Sequence, residues 1–131
     1  MYKHILVLVD SSNVSKKAGR EAVELAASIG AVVDVVHIID QKSSSTYERL
    51  ERSGQAHINE VCNYADEHGV EHIKTLVHGD PKADIQTIAK KSGADLIVMG
   101  TRGKTGLRGM LGSFANFVLK NVELPVLIIR S

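Results

Sequence analysis

Apolar residues along this chain fall into two alternating patterns, short unbroken runs and longer stretches with one apolar face. Residues 5–9 read Ile-Leu-Val-Leu-Val, a continuous run expected of a strand buried on both faces. Over 14–29, Ala18, Ala22, Leu25, Ala26 and Ile29 recur at spacings of three and four, which predicts a helix. Its cap lies among Ser11, Ser12 and Asn13, and Gly30 ends it. A second strand is expected over 31–39, interrupted by Asp34 and His37. Ser43, Ser44, Ser45 and Thr46 then form a polar loop or cap before a long helix that runs to about Glu67 and stops at His68-Gly69. Leu50, Ile58, Val61 and Cys62 make its apolar face, and Gly54 sits inside the pattern as a potential break.

The alternation continues to the end. Residues 73–77 predict a third strand, and Gly79-Asp80-Pro81 opens a third helix with proline near its first position. That helix carries Ile85, Ile88 and Ala89 and ends near Gly93. A fourth buried strand is expected over 95–100. Gly112 and Ser113 open a last short helix with Phe114, Phe117, Val118 and Leu119, and Pro125 leads into a fifth strand over 126–129. The order βαβαβαβαβ calls for right-handed crossovers and an open, doubly wound, mainly parallel five-stranded α/β sheet with helices on both faces.

Composition narrows what such a sheet could serve. At 131 residues the chain is expected to be one domain, residues 1–131. Sixteen Lys and Arg against fifteen Asp and Glu leave a formal charge of +1, too little for a basic field that attracts nucleic acid. Three tyrosines, two phenylalanines and no tryptophan are too few for a base-stacking surface. The one cysteine, Cys62, has no partner for a disulfide and suggests a reducing, cytoplasmic setting. The opening apolar run is too short for a signal segment, and no stretch is long enough to cross a membrane.

Ligands of open α/β sheets bind beyond the carboxyl ends of the strands, where the strand order reverses. The segments at those ends are 10–13, 40–42, 78–80 and 100–113, and the last stands apart. It holds Gly100, Gly103, Gly106, Gly109 and Gly112 beside Arg102, Lys104 and Arg108. Glycines let backbone amides approach an anion, and the free amides of the helix after Gly112 add a positive dipole end. Phosphate suits that arrangement, although a plain glycine-rich surface loop has the same composition. Two phosphate motifs are excluded by counting. A Walker loop ending at Gly103-Lys104-Thr105 needs glycine where Val98 stands, and the first turn lacks the Gly-x-Gly of the dinucleotide fingerprint.

Other candidates carry less. The histidines at 4, 37, 57, 68, 72 and 78 show no HExxH spacing, so no protein-held metal is expected; His78 is the one nearest a ligand end. Cys62, on an apolar helical face, reads as core. No paired carboxylates or nucleophile and base suggest fast turnover.

Over its whole length the sequence resembles the universal stress proteins. The resembling residues are 5–10, Ile-Leu-Val-Leu-Val-Asp; 36–40, Val-His-Ile-Ile-Asp; Gly79-Asp80-Pro81; 94–103, Ala-Asp-Leu-Ile-Val-Met-Gly-Thr-Arg-Gly; Gly112-Ser113; and 125–129, Pro-Val-Leu-Ile-Ile. The ATP-binding branch of that family spaces its glycines as Gly, two residues, Gly, nine residues, Gly, then Ser or Thr. Here eight residues, 104–111, separate Gly103 from Gly112, and Gly106 and Gly109 give the backbone room to compensate.

The resemblance implies strand order 3-2-1-4-5, an adenine nucleotide alpha-hydrolase-like fold, and ATP as ligand, with Mg2+ or Mn2+ held mainly by the phosphates. It places Asp10 beside the ribose or the metal, backbone at Ile38 on the adenine edge, and Met99, Gly100, Arg102 and Gly103 around the ribose and first phosphates. Gly112, Ser113 and Phe114 then fall at the phosphate tail. It further implies a stress-linked sensor or adaptor, at most a slow hydrolase, that forms a homodimer through the C-terminal strand. Two alternatives stand beside it: an adenylate-chemistry enzyme, whose Ser-Gly-Gly-x-Asp-Ser or His-x-Gly-His motifs are missing here, and a dimeric adaptor that binds AMP or no nucleotide.

Overall fold

The computed structural model describes residues 1–101 and 111–131. Its elements follow in the order β1 (His4–Leu8), α1 (Asn13–Ile29), β2 (Val32–Asp40), α2 (Tyr47–Glu67), β3 (His72–Gly79), α3 (Pro81–Ser92), β4 (Leu96–Gly100), α4 (Ser113–Asn121) and β5 (Val126–Ile129). The five strands form one sheet in the order β3-β2-β1-β4-β5, and every neighbouring pair is parallel. Predicted and observed elements agree to within one or two residues at most ends.

The helix ends show why. Ser12 caps α1, accepting a hydrogen bond from the Ser15 amide, and Gly30 closes the helix at φ 73°. Thr46 caps α2 in the same way through the Arg49 amide, so the serine-rich run does end in a cap. Asp80 caps α3 ahead of Pro81, and Gly93 closes it. The helix α2 runs unbroken through Gly54, for a reason that lies in the tertiary structure and is given below.

Each sheet face has its own core. Ile5, Val7, Val33, Val35 and Val98 pack beneath α1 and α2, meeting Ala22, Val23, Ile58, Val61 and Cys62. Leu6, Leu8, Val36, Ile97 and Met99 lie on the other face against Ile85 and Ala89 of α3 and Ala115 and Val118 of α4. Two layers of helix thus cover a central sheet, and each fully buried Val, Leu or Ile contributes about 1.5–3 kcal/mol. Cys62 is buried in the first core, and burial pushes its thiol pKa up, the setting of an inert core residue rather than a nucleophile.

The interruption at Asp34 in the second strand has a partner. Asp34 is 4% exposed, and its Oδ1 accepts a 2.6 Å hydrogen bond from the Thr75 hydroxyl on β3. His4 Nε2 stands 3.7 Å from its other oxygen. The amides of Lys3 and His4 donate to the Asp95 carboxylate just before β4. Polar side chains therefore link β1, β2, β3 and the start of β4 at the amino ends of the strands, remote from the ligand end.

Replacing Thr75 with Val removes the only hydroxyl donor to a buried carboxylate among the described residues. The loss is expected to be about 1–3 kcal/mol, read as a lower urea midpoint at unchanged slope, with Thr75→Ser close to wild type. A Val variant as stable as wild type would show that Asp34 does not depend on this bond.

Candidate functional site

At the carboxyl ends of the strands the sheet opens into a cleft of about 540 Å3. It lies where β2 and β4 leave β1 on opposite sides, the reversal point of the strand order. Its walls are Leu8, Val9 and Asp10 from β1 and the turn after it; His37, Ile38 and Asp40 from β2; Asp80 to Lys82 at the start of α3; Met99 and Gly100 from β4; and Gly112 to Ala115 at the start of α4. Of the residues singled out in the sequence, Asp10, Ile38, Met99, Gly100, Gly112, Ser113 and Phe114 come together here. Arg102 and Gly103, with Lys104, Gly106, Arg108 and Gly109, lie outside the described residues.

The first turn is tightly wired. The Asp10 amide donates to Ser15 Oγ at 2.9 Å, and the Ser12 amide donates to Asp10 Oδ1 at 2.7 Å. The Ser15 hydroxyl has the carbonyls of Asp10 and Ser12 as acceptors at 3.1 and 3.0 Å. Asp10 is thus both a turn residue and a cleft residue, with one carboxylate oxygen committed to backbone. Asp40 and Asp80 share that habit, accepting from the Lys42 and Lys82 amides.

Gly100 ends β4 beneath α1. A β-carbon there would lie 2.9 and 3.1 Å from the two methyls of Val14 and 3.3 Å from its backbone carbonyl carbon, so only glycine allows the first turn of α1 to sit this close. Thr101 and Gly112, on either side of the glycine-rich segment, are joined by a 2.6 Å bond from the Gly112 amide to the Thr101 carbonyl. Gly112 is the N-cap of α4, with no side-chain hydrogen bond on the helix end. Among the described residues the first amides of α4 consequently have no capping side chain, and the helix start borders a cleft whose sides include Ile38, Met99 and Phe114. A helix start and apolar walls in one cleft suit a ligand with an anionic group and a flat apolar part.

No helix of the described residues is long and apolar enough to cross a membrane. Among those residues no group of three or more His, Cys, Asp and Glu is placed to hold a metal.

A model of the universal stress protein family matches residues 1–130. The chain belongs to the universal stress protein family. Universal stress protein MJ0531 of Methanocaldococcus jannaschii is 36% identical over 141 residues, covering 99% of this chain and 83% of that protein. The solved structure of universal stress protein UspA from Lactobacillus plantarum is 26% identical, with a TM-score of 0.84 over 98% of both chains. The universal stress protein from Archaeoglobus fulgidus, solved in complex with dAMP, is also 26% identical, with a TM-score of 0.79 over 98% of both. Strand order 3-2-1-4-5, expected from the resemblance to this family, is the order observed.

Two features of this universal stress protein site were not singled out as site residues. His37 lines the cleft, whereas His78 does not and instead stacks on Tyr47, ring centroids 4.5 Å apart. Ser15, which holds the Asp10 turn, is 5% exposed. A signal for His37 was present in the sequence: a histidine inside a mainly apolar strand, and a glycine inside the helix that follows.

Ser15→Ala leaves the Asp10 amide without its acceptor. Stability is expected to fall by about 1–2 kcal/mol, and exchange of the Asp10 amide with solvent should quicken more than that of amides in α3. Unchanged exchange at Asp10 would show that the turn holds without Ser15.

Proposed function

We infer that the chain binds an adenine nucleotide, ATP, in the cleft between β1 and β4, as one nucleotide-binding domain over residues 1–131. The observation that carries this reading is the uncapped start of α4 at Gly112, opening into an apolar-walled cleft at the reversal point of the sheet. Helix amides hold phosphate without a counter-charge from side chains, and Ile38 and Met99 offer contact to a base. Adenine nucleotide binding by the Archaeoglobus fulgidus relative, seen as its dAMP complex, supports the same assignment. In this reading Asp10 lies beside the ribose or the metal, the Ile38 backbone meets the adenine edge, and Met99 and Gly100, with Arg102 and Gly103, surround the ribose and first phosphates. Gly112, Ser113 and Phe114 take the phosphate tail, and Mg2+ or Mn2+ is held mainly by the phosphates.

The role that fits is a cytoplasmic, stress-linked sensor or adaptor with slow or no hydrolysis. Phosphoryl transfer to water needs a group that orients the attacking water, and the cleft carboxylates Asp10, Asp40 and Asp80 each already accept a backbone amide. The segment 104–111 is one residue shorter than the ATP-binding spacing of the family, which favours AMP as the second reading.

Calorimetry with ATP and AMP in the presence of magnesium tests this. Wild type should bind, and Gly112→Val, folded by circular dichroism, should bind ATP about tenfold or more weakly, a change of about 1.4 kcal/mol. Turnover should stay below about 1 per second, the low end of ordinary enzymes. Equal affinity in the folded variant would move the phosphates away from α4, and tighter AMP than ATP would select the second reading.

The same reading includes a homodimer through β5. Among the described residues this strand pairs only with β4 and forms one edge of the sheet, and Leu127 on it is 40% exposed. An apolar edge with unpaired amides invites pairing with a second copy about a two-fold axis. Leu127→Lys is expected to give a monomer by light scattering where wild type is a dimer. A wild type already monomeric at micromolar concentration would remove β5 from any interface.

A further inference from the structure

His37 is set between the floor of the cleft and α2. Its Nδ1 lies 2.7 Å from the Val9 carbonyl oxygen. A carbonyl only accepts, so Nδ1 carries a proton, and in the neutral ring Nε2 carries none. The far edge of the ring lodges against Gly54 of α2, where a β-carbon would come within 2.7 Å of Cδ2 and 3.3 Å of Nε2, and within 2.8 Å of a Leu76 methyl from β3. This is why α2 has glycine at its middle. One turn on, the His57 ring lies 5.6 Å from that of His37, centroid to centroid, and its Nε2 is 3.2 Å from Ser53 Oγ. Asp10 stands at the end of β1, Lys16 of α1 pairs with Glu60 of α2 at 3.4 Å, and Leu76 is the neutral neighbour from β3. Burial, then Lys16 and His37, hold the His57 pKa below the ordinary histidine value, against the pull of Asp10 and Glu60.

We propose that His37, coupled to His57, is a proton-sensitive positioning residue of the cleft, holding the Val9 carbonyl and the Asp10 turn that follows it and favouring an anionic ligand when protonated. The proposal rests on the nucleotide reading above. Proton uptake at Nε2 turns the bond to Val9 into a charge-assisted one, roughly twice as strong as its neutral form, and puts a positive charge on the wall of the cleft. Two rings this close do not both charge readily. Desolvation and Lys16 hold His57 toward its neutral form. Proton and anionic ligand then raise one another's affinity by the same factor.

The test measures ATP affinity of the full chain by calorimetry at pH 8 and pH 6. ATP titrates in this range, so the comparison is between variants that meet the same ligand. Wild type is expected to gain about fivefold more affinity than His37→Asn on going to pH 6. His37→Leu should lose affinity at both pH values, and His37→Asn, which keeps a donor for Val9, should recover most of it at pH 8. His57→Gln should keep the pH 8 affinity and move the pH midpoint upward. Equal pH profiles in wild type and His37→Asn overturn the proposal. A second readout needs no ligand: ring-proton NMR titrations should show coupled, two-step curves for His37 and His57, with the Asp10 amide following His37. Independent one-step curves with a static Asp10 amide overturn it as well. If wild type binds no ATP at either pH, the nucleotide reading fails, and the titration alone decides whether His37 and His57 act as a pair.

Discussion

The parallel pairing of β1 on both of its edges is the constraint from which the rest of the molecule follows. With β2 on one side and β4 on the other, β1 has no free edge, and with helices packed on both sheet faces its residues 5–8, and Val9 after them, are almost wholly without contact with water. Every backbone amide and carbonyl in such a strand needs a partner within the sheet. Only its carboxyl end is released, and there the chain turns away toward α1 while β4 delivers its own end to the other side. The cleft is the gap between those two departures, present because the strand order reverses at β1.

A gap of this kind serves a ligand only if its rim keeps its shape, and the polar residues of the rim supply that. Ser15 reaches back from the first turn of α1 to the Asp10 amide, Ser12 leans on Asp10, and His37 holds the carbonyl of Val9 from the neighbouring strand. Gly100 and Gly54 act by omission, each leaving room for a neighbour that a side chain would displace. The acidic residues at the cleft are used largely to order turns, while α4 presents amides without a side-chain cap. Side chains that order the first turn and, among the described residues, a last helix without a side-chain cap thus border one cleft.

Much of this was legible in the sequence. The runs at 5–9 and 96–99 marked strands buried on both faces, the caps Ser12, Thr46 and Asp80 stood where the helical periodicity began, and Gly30 and Gly93 stood where it stopped. The segment beginning at Gly100 stood out by its place at a strand's carboxyl end, its glycines and its cations, and seven of the nine residues assigned to the site line the cleft. The other two, Arg102 and Gly103, lie outside the described residues. His37 was read only as a blemish in a strand and Gly54 only as a weakness in a helix, because each is the explanation of the other and they belong to different elements.

The sequence by itself determined the elements, their ends, and which residues face a core, because periodicity and capping are properties of a few neighbouring residues. Strand order is a different matter. Parallel strands join through backbone groups that are the same in every residue, so composition and spacing suggested a doubly wound sheet, and family resemblance was needed to put β1 between β2 and β4. Only the tertiary structure decided the meetings of side chains far apart in the chain, such as Thr75 with Asp34 across 41 residues and His37 with Val9 across 28. Such contacts depend on how helices settle on the sheet, a matter of shape that no local pattern encodes.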